Sequence, residues 1–216
     1  MTELHIISTD TVRCLDLNPL WSVMPERKKK YEHLKMEGDR LLCAGGGILM
    51  TNAVGIESEK DLIFSDKGKP ILKGGPAFNL SHSGKQCVLA IGESNVGVDI
   101  EVLDISNLDI ASAVYTNSEQ EWMAEDNLDR FHKLWTWKES VMKATGLGMS
   151  LHPKSFEVLP FYEDKGIYVE NTWWYAFSGK LKDSCFSVCS NIPIKNLVIW
   201  EWIQTPVGLC RRPLLF

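Results

Sequence analysis

The stretch FHKLWTWKESVMKATGL at residues 131–147, taken together with GVDIE at residues 97–101, indicates both the fold and the site. The first stretch is predicted to be a helix, in which Glu139 and Lys143 are four residues apart and share a face. The second is predicted to be a strand, whose two acidic residues alternate with apolar ones and point to the same side. Three carboxylates and one ammonium group can therefore converge on one place.

The types of side chain at this place indicate which ion it would hold. Asp99, Glu101 and Glu139 are all carboxylates, and oxygen ligands favour Mg²⁺, or Mn²⁺, over Zn²⁺. Magnesium keeps several waters and takes phosphate oxygens of a substrate as further ligands. A phosphate would also give a partner to Lys143, which stands on a helix that two tryptophans mark as largely buried.

Both patterns also have ordinary structural explanations. Asp99 and Glu101 fit the exposed side of a half-buried strand, which is the better interpretation of GVDIE taken alone. Glu139 and Lys143 fit an exposed ion pair, which would stabilise a helix by about 0.2–0.5 kcal/mol. The metal hypothesis gains weight because Glu139 can supply a third oxygen ligand to the two carboxylates of the strand.

Composition excludes several classes of function. The chain has 216 residues, a net charge of −5 and a pI of about 5.6, whereas a sequence-independent nucleic-acid binder is usually basic. No stretch approaches the roughly 18 apolar residues that a membrane helix requires. The N-terminus lacks the pattern of a signal peptide, and the six cysteines form no CxxC pair. We therefore expect a cytoplasmic protein with reduced thiols, and no nucleic-acid or membrane partner.

The order of helix and strand signals predicts an α+β fold. A strand, two helices and several strands are followed by two helices and further strands, with a joint near residues 102–107. Gly45–Gly47 predict either a break in the second helix or the close approach of another backbone. The predicted helices are Glu26–Glu37, Asp39–Ala53, one that begins with a capping box at Ser118–Glu121, and a long one. The long helix is capped by Asn127 or Asp129, runs through Lys143 and is ended by Gly146 and Gly148. The predicted strands are Leu4–Ser8, Leu62–Phe64, Pro70–Leu72, Phe78–Ser81, Gln86–Ile91, Val96–Glu101, Ser155–Leu159, Gly166–Glu170, Thr172–Phe177, Cys185–Cys189 and Leu197–Trp202.

The stretch FNLSHSG at residues 78–84 runs from a strand into a polar turn. Ser81, His82 and Ser83 are compact donors beside Gly84, which allows backbone N–H groups to approach an anion closely. A Ser-His hydrolase is a poor fit, because neighbouring strand residues point to opposite faces and the chain has no G-x-S-x-G motif.

Basic residues at three other places could extend an anion site. The run Arg27–Lys30 lies at the start of a predicted helix, where it would concentrate positive potential on free N–H donors of the kind that bind phosphate. A solvated helix face is nevertheless the better interpretation of this run alone. Arg40 and Lys69 are either surface charges or part of the same anion site.

Together these segments resemble the 4′-phosphopantetheinyl transferase superfamily, specifically its long, surfactin-type members. The resemblance is carried by FNLSHSG (78–84), GVDIE (97–101) and LWTWKESVMKATGLGMSL (134–151), with weaker support from KGKP (67–70) and the segment MPER…GDR (24–40). It implies two similar α+β halves in one chain, residues 1–103 and 104–216, related by a pseudo-twofold axis with the active site in the cleft between them. It also implies a monomer that moves phosphopantetheine from coenzyme A to a serine of an apo acyl or peptidyl carrier protein and releases 3′,5′-adenosine bisphosphate.

The resemblance further implies roles for individual residues. Asp99, Glu101 and Glu139 would hold Mg²⁺, with Mn²⁺ as a possible substitute. Glu139, or a water near it, would accept the proton of the serine, and Lys143 would contact the pyrophosphate. The catalytic residues would thus be Asp99, Glu139 and Lys143.

The coenzyme A site is implied in the same way. Donors of FNLSHSG would bind the phosphates, Arg40 and members of the basic run would bind the 3′-phosphate, and Lys69 would lie beside the adenine. The residues expected to bind coenzyme A are Arg27, Lys30, Arg40, Lys69, Ser81, His82 and Lys143.

Two other functions compete with this interpretation. A non-catalytic protein that binds coenzyme A or a nucleotide is the main alternative, although binding alone needs no complete set of metal ligands. A metal-dependent nuclease is disfavoured by the net charge and by the order of the motifs. Carrier proteins are typically acidic, so docking would require a local apolar or basic patch. Trp122 and Met123 are candidates by position, but burial in the core is the better interpretation of Trp122.

Overall fold

The computed structural model describes residues 1–124, 126–159 and 165–214 and has a mixed α+β fold, as the sequence predicts. The strands are β1 (Thr2–Ser8), β2 (Leu62–Phe64), β3 (Pro70–Leu72), β4 (Ala77–Ser83), β5 (Gln86–Gly92), β6 (Val96–Val102), β7 (Ile167–Val169), β8 (Thr172–Leu181), β9 (Ser184–Ser190), β10 (Leu197–Thr205) and β11 (Gly208–Pro213). The α-helices are α1 (Thr9–Arg13), α2 (Asn18–Val23), α3 (Pro25–His33), α4 (Glu37–Leu49), α5 (Ala111–Val114), α6 (Asn117–Met123) and α7 (Asn127–Thr145). A π-helical turn, Met50–Val54, continues α4, and short 3₁₀ turns lie at Glu59–Asp61, Ile105–Ile110, Gly148–Ser150 and Pro153–Ser155.

Two larger sheets and one hairpin organise the strands. A five-stranded sheet has the order β11-β10-β1-β5-β4, in which β1 pairs parallel with β10 and antiparallel with β5. A four-stranded antiparallel sheet has the order β6-β9-β8-β7, and β2 pairs with β3 alone. The division of the chain after residue 103 and the pseudo-twofold relation stay predictions. Two pairings, β1 with β10 and β6 with β9, join strands from both sides of that point.

The two sheets meet where their edge strands β4 and β6 lie side by side. Polar side chains at alternate positions of β4 bridge this seam: Asn79 Oδ1 accepts the Val98 N–H at 2.9 Å, and Ser81 Oγ donates to Asp99 Oδ1 at 2.8 Å. The seam is therefore held by side chains of β4 as well as by packing, and it brings the polar face of β4 against the acidic face of β6.

Helix α7 packs on β6 and β9, which places its polar face next to the seam. Leu134, Trp137 and Val141 are buried at helical spacing and anchor the apolar face. Gly97 allows the close approach of β6, because a Cβ at this position would overlap the carbonyl oxygen of Ser140. The glycine of GVDIE thus has a packing role that brings the acidic strand close to the helix.

Helix α4 corrects the expected break at Gly45–Gly47, since it runs without interruption through all three glycines. The alternative, the close approach of another backbone, is also wrong, because the atoms nearest to the three glycines belong to side chains. A Cβ on Gly47 would lie 2.9 Å from Arg27 Cδ and 3.0 Å from Leu20 Cδ1. The glycines therefore make room for the arginine of the basic run.

Helix α6 begins two residues earlier than predicted. Its N-cap is Thr116, whose hydroxyl accepts the Glu119 N–H while the Glu119 carboxylate accepts the Thr116 N–H. The capping box expected at Ser118–Glu121 is therefore wrong by two positions.

The strand predicted over Ser155–Leu159 is also wrong. The segment follows a 3₁₀ turn and is irregular. Its backbone groups bond to side chains: the buried Lys138 ammonium donates to the Phe156 carbonyl at 2.6 Å, and Glu119 accepts the Val158 N–H at 2.9 Å. These bonds replace the partners that a neighbouring strand would supply.

The state of the cysteines and the length of the apolar helices can also be compared with the expectations from the sequence. All six cysteines are free thiols, and four of them are buried. Across the described ranges, no helix is both long and apolar enough to cross a bilayer.

Candidate active site

Two adjoining cavities flank β4. The first, here called the carboxylate cavity, has a volume of about 280 Å³ and is lined by Leu80, Ser81, His82, Asp99, Glu101, Trp135, Glu139 and Lys143. The second, here called the basic cavity, has a volume of about 460 Å³, and its charged and polar lining includes Arg27, Lys30, Asp39, Glu59, Asn79 and His82. Because Leu80 and His82 line both, the two cavities are neighbours along one surface.

Asp99 is the most deeply buried group of the carboxylate cavity, with 2% of its surface exposed. Its Oδ1 accepts from Lys143 Nζ at 2.6 Å and from Ser81 Oγ at 2.8 Å. Its Oδ2 is buried and finds no hydrogen-bond partner among the described residues. Burial raises the pKa of Asp99, and the neighbouring ammonium of Lys143 offsets this only in part. The interpretation of Asp99 as the exposed side of an ordinary strand is therefore wrong.

Glu101 and Glu139 face the same cavity, and partial burial disfavours the charged form of both side chains. Burial, followed by repulsion from Asp99, raises the pKa of both carboxyls. Hydrogen bonds from Ser83, at 2.9 Å, and from Trp135 stabilise the charged form of Glu101 and moderate its shift. Three carboxylates thus share one partly dry cavity with a single ammonium group, and their negative charge is incompletely compensated.

The residues of this cavity suit a divalent cation that is also held by water and by a ligand. Among the described residues, no group of three His, Cys, Asp or Glu side chains is placed so that it could hold a metal ion as it stands. The unpaired Asp99 Oδ2 and the raised pKa values of Glu101 and Glu139 nevertheless favour a positive charge here. Magnesium fits such an open set of oxygens, because it commonly binds one or two carboxylates and completes its shell with water and phosphate oxygens.

Lys143 links the helix to the seam. Its ammonium contacts Asp99 and also donates to Ser81 Oγ at 2.9 Å, so these partners lie on the two strands of the seam and not on its own helix. The explanation as an exposed ion pair with Glu139 is wrong in this respect, since Lys143 pairs with Asp99. A cation held at the edge of an open cavity can bind an incoming anion without losing its place.

The basic run divides into two faces of α3. Arg27 and Lys30 line the basic cavity, and the Arg27 guanidinium donates to the Cys43 carbonyl at 2.8 Å. Lys28 and Lys29 instead pair with glutamates of α3 on the exposed surface. The solvated-face interpretation therefore holds for half of the run, and the anion-site interpretation stays open for the other half.

The first turn of α3 does not offer the free N–H donors that the sequence suggests. The Glu59 carboxylate accepts the N–H groups of Glu26, at 2.7 Å, and of Arg27, at 3.1 Å. A side chain more than thirty residues away occupies the place expected for a phosphate. An anion in the basic cavity would therefore meet the side chains of Arg27 and Lys30 and not the end of the helix.

His82 stands between the two cavities. Partial burial of the ring, and then the positive charges of Lys143 and Lys30, lower the pKa of His82. The imidazole thus lies in positive potential from both sides, which is the environment that an anion would relieve.

Arg40 and Lys69 line neither cavity. Arg40 Nε is buried without a hydrogen-bond partner among the described residues, so this arginine retains a donor for an additional acceptor. Lys69 lies in the turn between β2 and β3, and its ammonium donates to three backbone carbonyls. Their predicted places, on the 3′-phosphate and beside the adenine, stay predictions.

Sequence reasoning missed several residues that build the site. Ser83 is expected from the sequence only as a compact donor for an anion, and Trp135 only as a sign of a buried helix, whereas both donate to Glu101. The ion pair of Lys138 with Glu119, at 2.9 Å and with both side chains fully buried, fixes α7 against α6. No local sequence pattern predicts this pair, because its partners are nineteen residues apart.

A mixed α+β fold whose adjoining cavities combine carboxylates, an ammonium group and basic side chains provides a site of the kind that suits a phosphate ester. Residues 95–191 match the family model of the 4′-phosphopantetheinyl transferase superfamily. The chain is 30% identical over 159 residues to 4′-phosphopantetheinyl transferase Sfp of Bacillus subtilis (strain 168), covering 68% of this chain and 70% of that protein. The chain belongs to this superfamily.

Other relatives agree with this membership. A 4′-phosphopantetheinyl transferase of Bacillus subtilis is 37% identical over 97 residues, which cover 42% of this chain and 43% of the relative. The L-aminoadipate-semialdehyde dehydrogenase-phosphopantetheinyl transferase of Xenopus laevis is 33% identical over 176 residues, covering 68% of this chain and 58% of the relative. The resemblance to the surfactin-type enzymes of the superfamily is confirmed.

Proposed function

We propose that the protein transfers the 4′-phosphopantetheine group of coenzyme A to a serine of an apo acyl or peptidyl carrier protein and releases 3′,5′-adenosine bisphosphate. The observation that carries this proposal is the junction of the two cavities at Leu80 and His82. One ligand can extend from a basic cavity, suited to a nucleotide phosphate, into a carboxylate cavity, suited to a cation and a pyrophosphate.

The nucleotide end of coenzyme A would occupy the basic cavity. Arg27 and Lys30 would attract the 3′-phosphate. The contact of Arg40 with the same phosphate stays a prediction from the family resemblance, because this arginine does not line the basic cavity. Leu34, Leu62, Phe64 and Pro70 give the cavity an apolar side that could hold the sugar and base. His82 would meet the pyrophosphate where the two cavities join, with Ser81 beside it.

The reacting phosphorus would lie in the carboxylate cavity. Asp99, Glu101 and Glu139 would hold Mg²⁺, or Mn²⁺, which when bound would supply positive charge that stabilises the departing 5′-phosphate of the bisphosphate. Lys143 would hold a pyrophosphate oxygen while it stays bound to Asp99. Ser81 and Ser83 keep the two carboxylates of β6 in place across the seam.

The transfer itself requires one bond to form and one to break. The serine oxygen of the carrier forms a bond to the phosphorus next to pantetheine, and the bond from that phosphorus to the oxygen of the bisphosphate breaks. The serine proton would pass to Glu139 or to a water near it.

The proposal also includes a monomeric enzyme in the cytoplasm. One chain supplies every residue named in both cavities, so a second copy is not needed to complete them. Light scattering at assay concentration tests the monomer directly, with a mass of 24.4 kDa as the expected result.

The test is intact-mass spectrometry of apo carrier proteins after incubation with the protein, coenzyme A and Mg²⁺. We expect a gain of one phosphopantetheine per carrier, and we expect a chelator to abolish that gain. The set should contain an acyl carrier and a peptidyl carrier, each with a Ser→Ala control at the acceptor position. No gain on any carrier, in spite of measurable binding of coenzyme A, would replace the proposal with a binding protein that has no transferase activity.

A further inference from the structure

The Lys69 ammonium is held by three carbonyls from two different elements. Its Nζ donates to the Lys143 carbonyl at 2.9 Å, to the Ala144 carbonyl at 3.3 Å and to the Val96 carbonyl at 3.0 Å. An ammonium group has three hydrogen-bond donors, so these contacts use its full capacity. Burial lowers the pKa of Lys69 to about 8, which agrees with a side chain withdrawn from solvent.

The two elements that Lys69 joins are the ones that carry the carboxylate cavity. Lys143 and Ala144 belong to the last turn of α7, where helix carbonyls lack partners of their own and where a positive charge is favourable. Val96 is the first residue of β6, three positions before Asp99. The lysine therefore ties the end of the helix to the beginning of the strand.

The turn that contains Lys69 is stabilised by its own hydrogen bonds. The Ser65 hydroxyl accepts the Lys69 N–H at 3.0 Å, and the Lys69 carbonyl accepts the Ser65 N–H at 3.0 Å. Gly68 has a φ of 80°, which a side chain would disfavour, and its N–H donates to the Ser65 carbonyl at 2.8 Å. The lysine thus projects from a fixed base and not from a free loop.

We infer that Lys69 is a positioning residue for transfer: by binding the backbone of α7 and β6 together, it sets the spacing between the Lys143 ammonium and the Asp99 carboxylate. Gly97 supplies the close packing of the same two elements, and Lys69 supplies the hydrogen bonds that fix their position along each other. The inference rests on the proposed function. It differs from the adenine contact implied by the family resemblance, because the ammonium is directed at backbone and not into the basic cavity.

The test compares Lys69→Met with Lys69→Arg, and uses Lys67→Met as the matched control in the same turn. Methionine keeps most of the side-chain length and removes all three donors, whereas arginine keeps the charge and several donors. Lys67 is exposed and takes part in none of the described contacts to α7 or β6. For each variant we would measure kcat and KM for coenzyme A, together with the Kd of 3′,5′-adenosine bisphosphate by calorimetry.

If Lys69 is a positioning residue, its substitution should change kcat and leave the Kd of the bisphosphate nearly unchanged. Lys69→Met should lower kcat by roughly tenfold or more, since small misplacements of reacting groups can cost up to about a hundredfold. The Kd of the bisphosphate should change by less than about twofold, and Lys69→Arg should recover part of the lost kcat. A weakened Kd with unchanged kcat would show that Lys69 is a contact to the nucleotide, and it would overturn the inference, as would a Lys69→Met variant that behaves like Lys67→Met.

Two further measurements apply if Lys69→Met does not fold or if the wild-type protein shows no transfer. If Lys69→Met does not fold, the same split is read from Lys69→Arg, which should lower kcat and leave the bisphosphate Kd unchanged. If the wild-type protein transfers nothing, the proposed function fails by itself. Hydrogen exchange then tests only whether Lys69 holds α7 and β6 together. Amides in the last turn of α7 should exchange faster in Lys69→Met than in Lys67→Met, and equal rates would contradict this role of Lys69.

Discussion

The two cavities beside β4 place their charges in opposite environments. The basic cavity has the exposed Lys30 on its surface, where water stabilises the positive charge of this side chain in the absence of a ligand. The carboxylate cavity has Asp99 buried in the seam and Glu139 half-buried beside it, and the pKa values of both are raised. An anion in the basic cavity adds a favourable contact to Lys30, whose charge is already stabilised by water. A cation in the carboxylate cavity relieves groups that are not. We therefore expect the first cavity to determine affinity and the second to determine the rate of transfer.

The largest effect should come from the carboxylate cavity. Glu139→Gln should lower kcat for transfer by about 10²–10⁴-fold, the range typical for loss of a general base, and should leave part of the coenzyme A binding intact. The measurement is the rate of carrier modification at saturating coenzyme A. Glu121→Gln on the exposed face of α6 is the matched control and should keep the full rate. Undiminished turnover by Glu139→Gln would remove this carboxylate from the mechanism.

A substitution in the basic cavity should act on affinity. Lys30→Met should raise the KM for coenzyme A by roughly ten- to a hundredfold, because it removes one hydrogen bond to a charged group, and kcat should stay near that of the wild type. Lys28→Met is the control, since Lys28 lies on the same helix and pairs outward with Glu32. Equal KM values for the two variants would contradict the assignment of Lys30 to the ligand.

The free energy of unfolding should reflect the electrostatic cost of keeping partly buried carboxylates charged in the carboxylate cavity. A carboxyl whose pKa is raised on folding stabilises the folded protein below its unfolded pKa, and this contribution is lost as the pH rises through the folded pKa. Without metal, Glu139→Gln should therefore raise the free energy of unfolding at neutral pH by about 0.5–2 kcal/mol, the gain typical of relieving a strained functional group. The gain should shrink as the pH falls into the acid range.

Denaturant unfolding at several pH values measures this gain, with Glu121→Gln as the exposed control. Added Mg²⁺ should stabilise the wild-type protein more at neutral than at acid pH, because the ligands must be deprotonated to bind a cation. A loss of stability in Glu139→Gln at neutral pH in the absence of metal would contradict the account.

The smallest effect concerns His82. The positive charges of Lys143 and Lys30 help to lower its pKa, so binding of 3′,5′-adenosine bisphosphate should raise the pKa of His82 by adding negative charge. Nuclear magnetic resonance of the imidazole, with His82→Gln to identify the signal, measures the shift. An unchanged or lowered pKa on binding would place the ligand away from the junction of the cavities.

Local patterns in the sequence were sufficient for the elements that carry the site. The spacing of Glu139 and Lys143 predicts the shared face of α7, and alternation predicts that Asp99 and Glu101 share a face of β6. The structure brings all four to one cavity, as these patterns suggest when they are combined. Patterns of this kind depend on residues a few positions apart, so a single sequence contains them.

Contacts between distant residues could not be read in this way. The burial of Asp99 depends on the approach of β4, and the occupied end of α3 depends on Glu59, more than thirty residues away. Lys69 looks like a surface lysine in its turn, and only the position of α7 gives its ammonium three acceptors. The pairing of β1 with β10 likewise has no local signal, since the two strands lie near opposite ends of the chain.

The most direct test of the division between affinity and rate is a measurement of carrier modification against coenzyme A concentration for Lys30→Met and Glu139→Gln. The account predicts that Lys30→Met approaches the wild-type rate as coenzyme A is raised to saturation, whereas Glu139→Gln stays slow at every concentration. If high coenzyme A restores Glu139→Gln, or fails to restore Lys30→Met, the two cavities do not have the separate roles assigned to them.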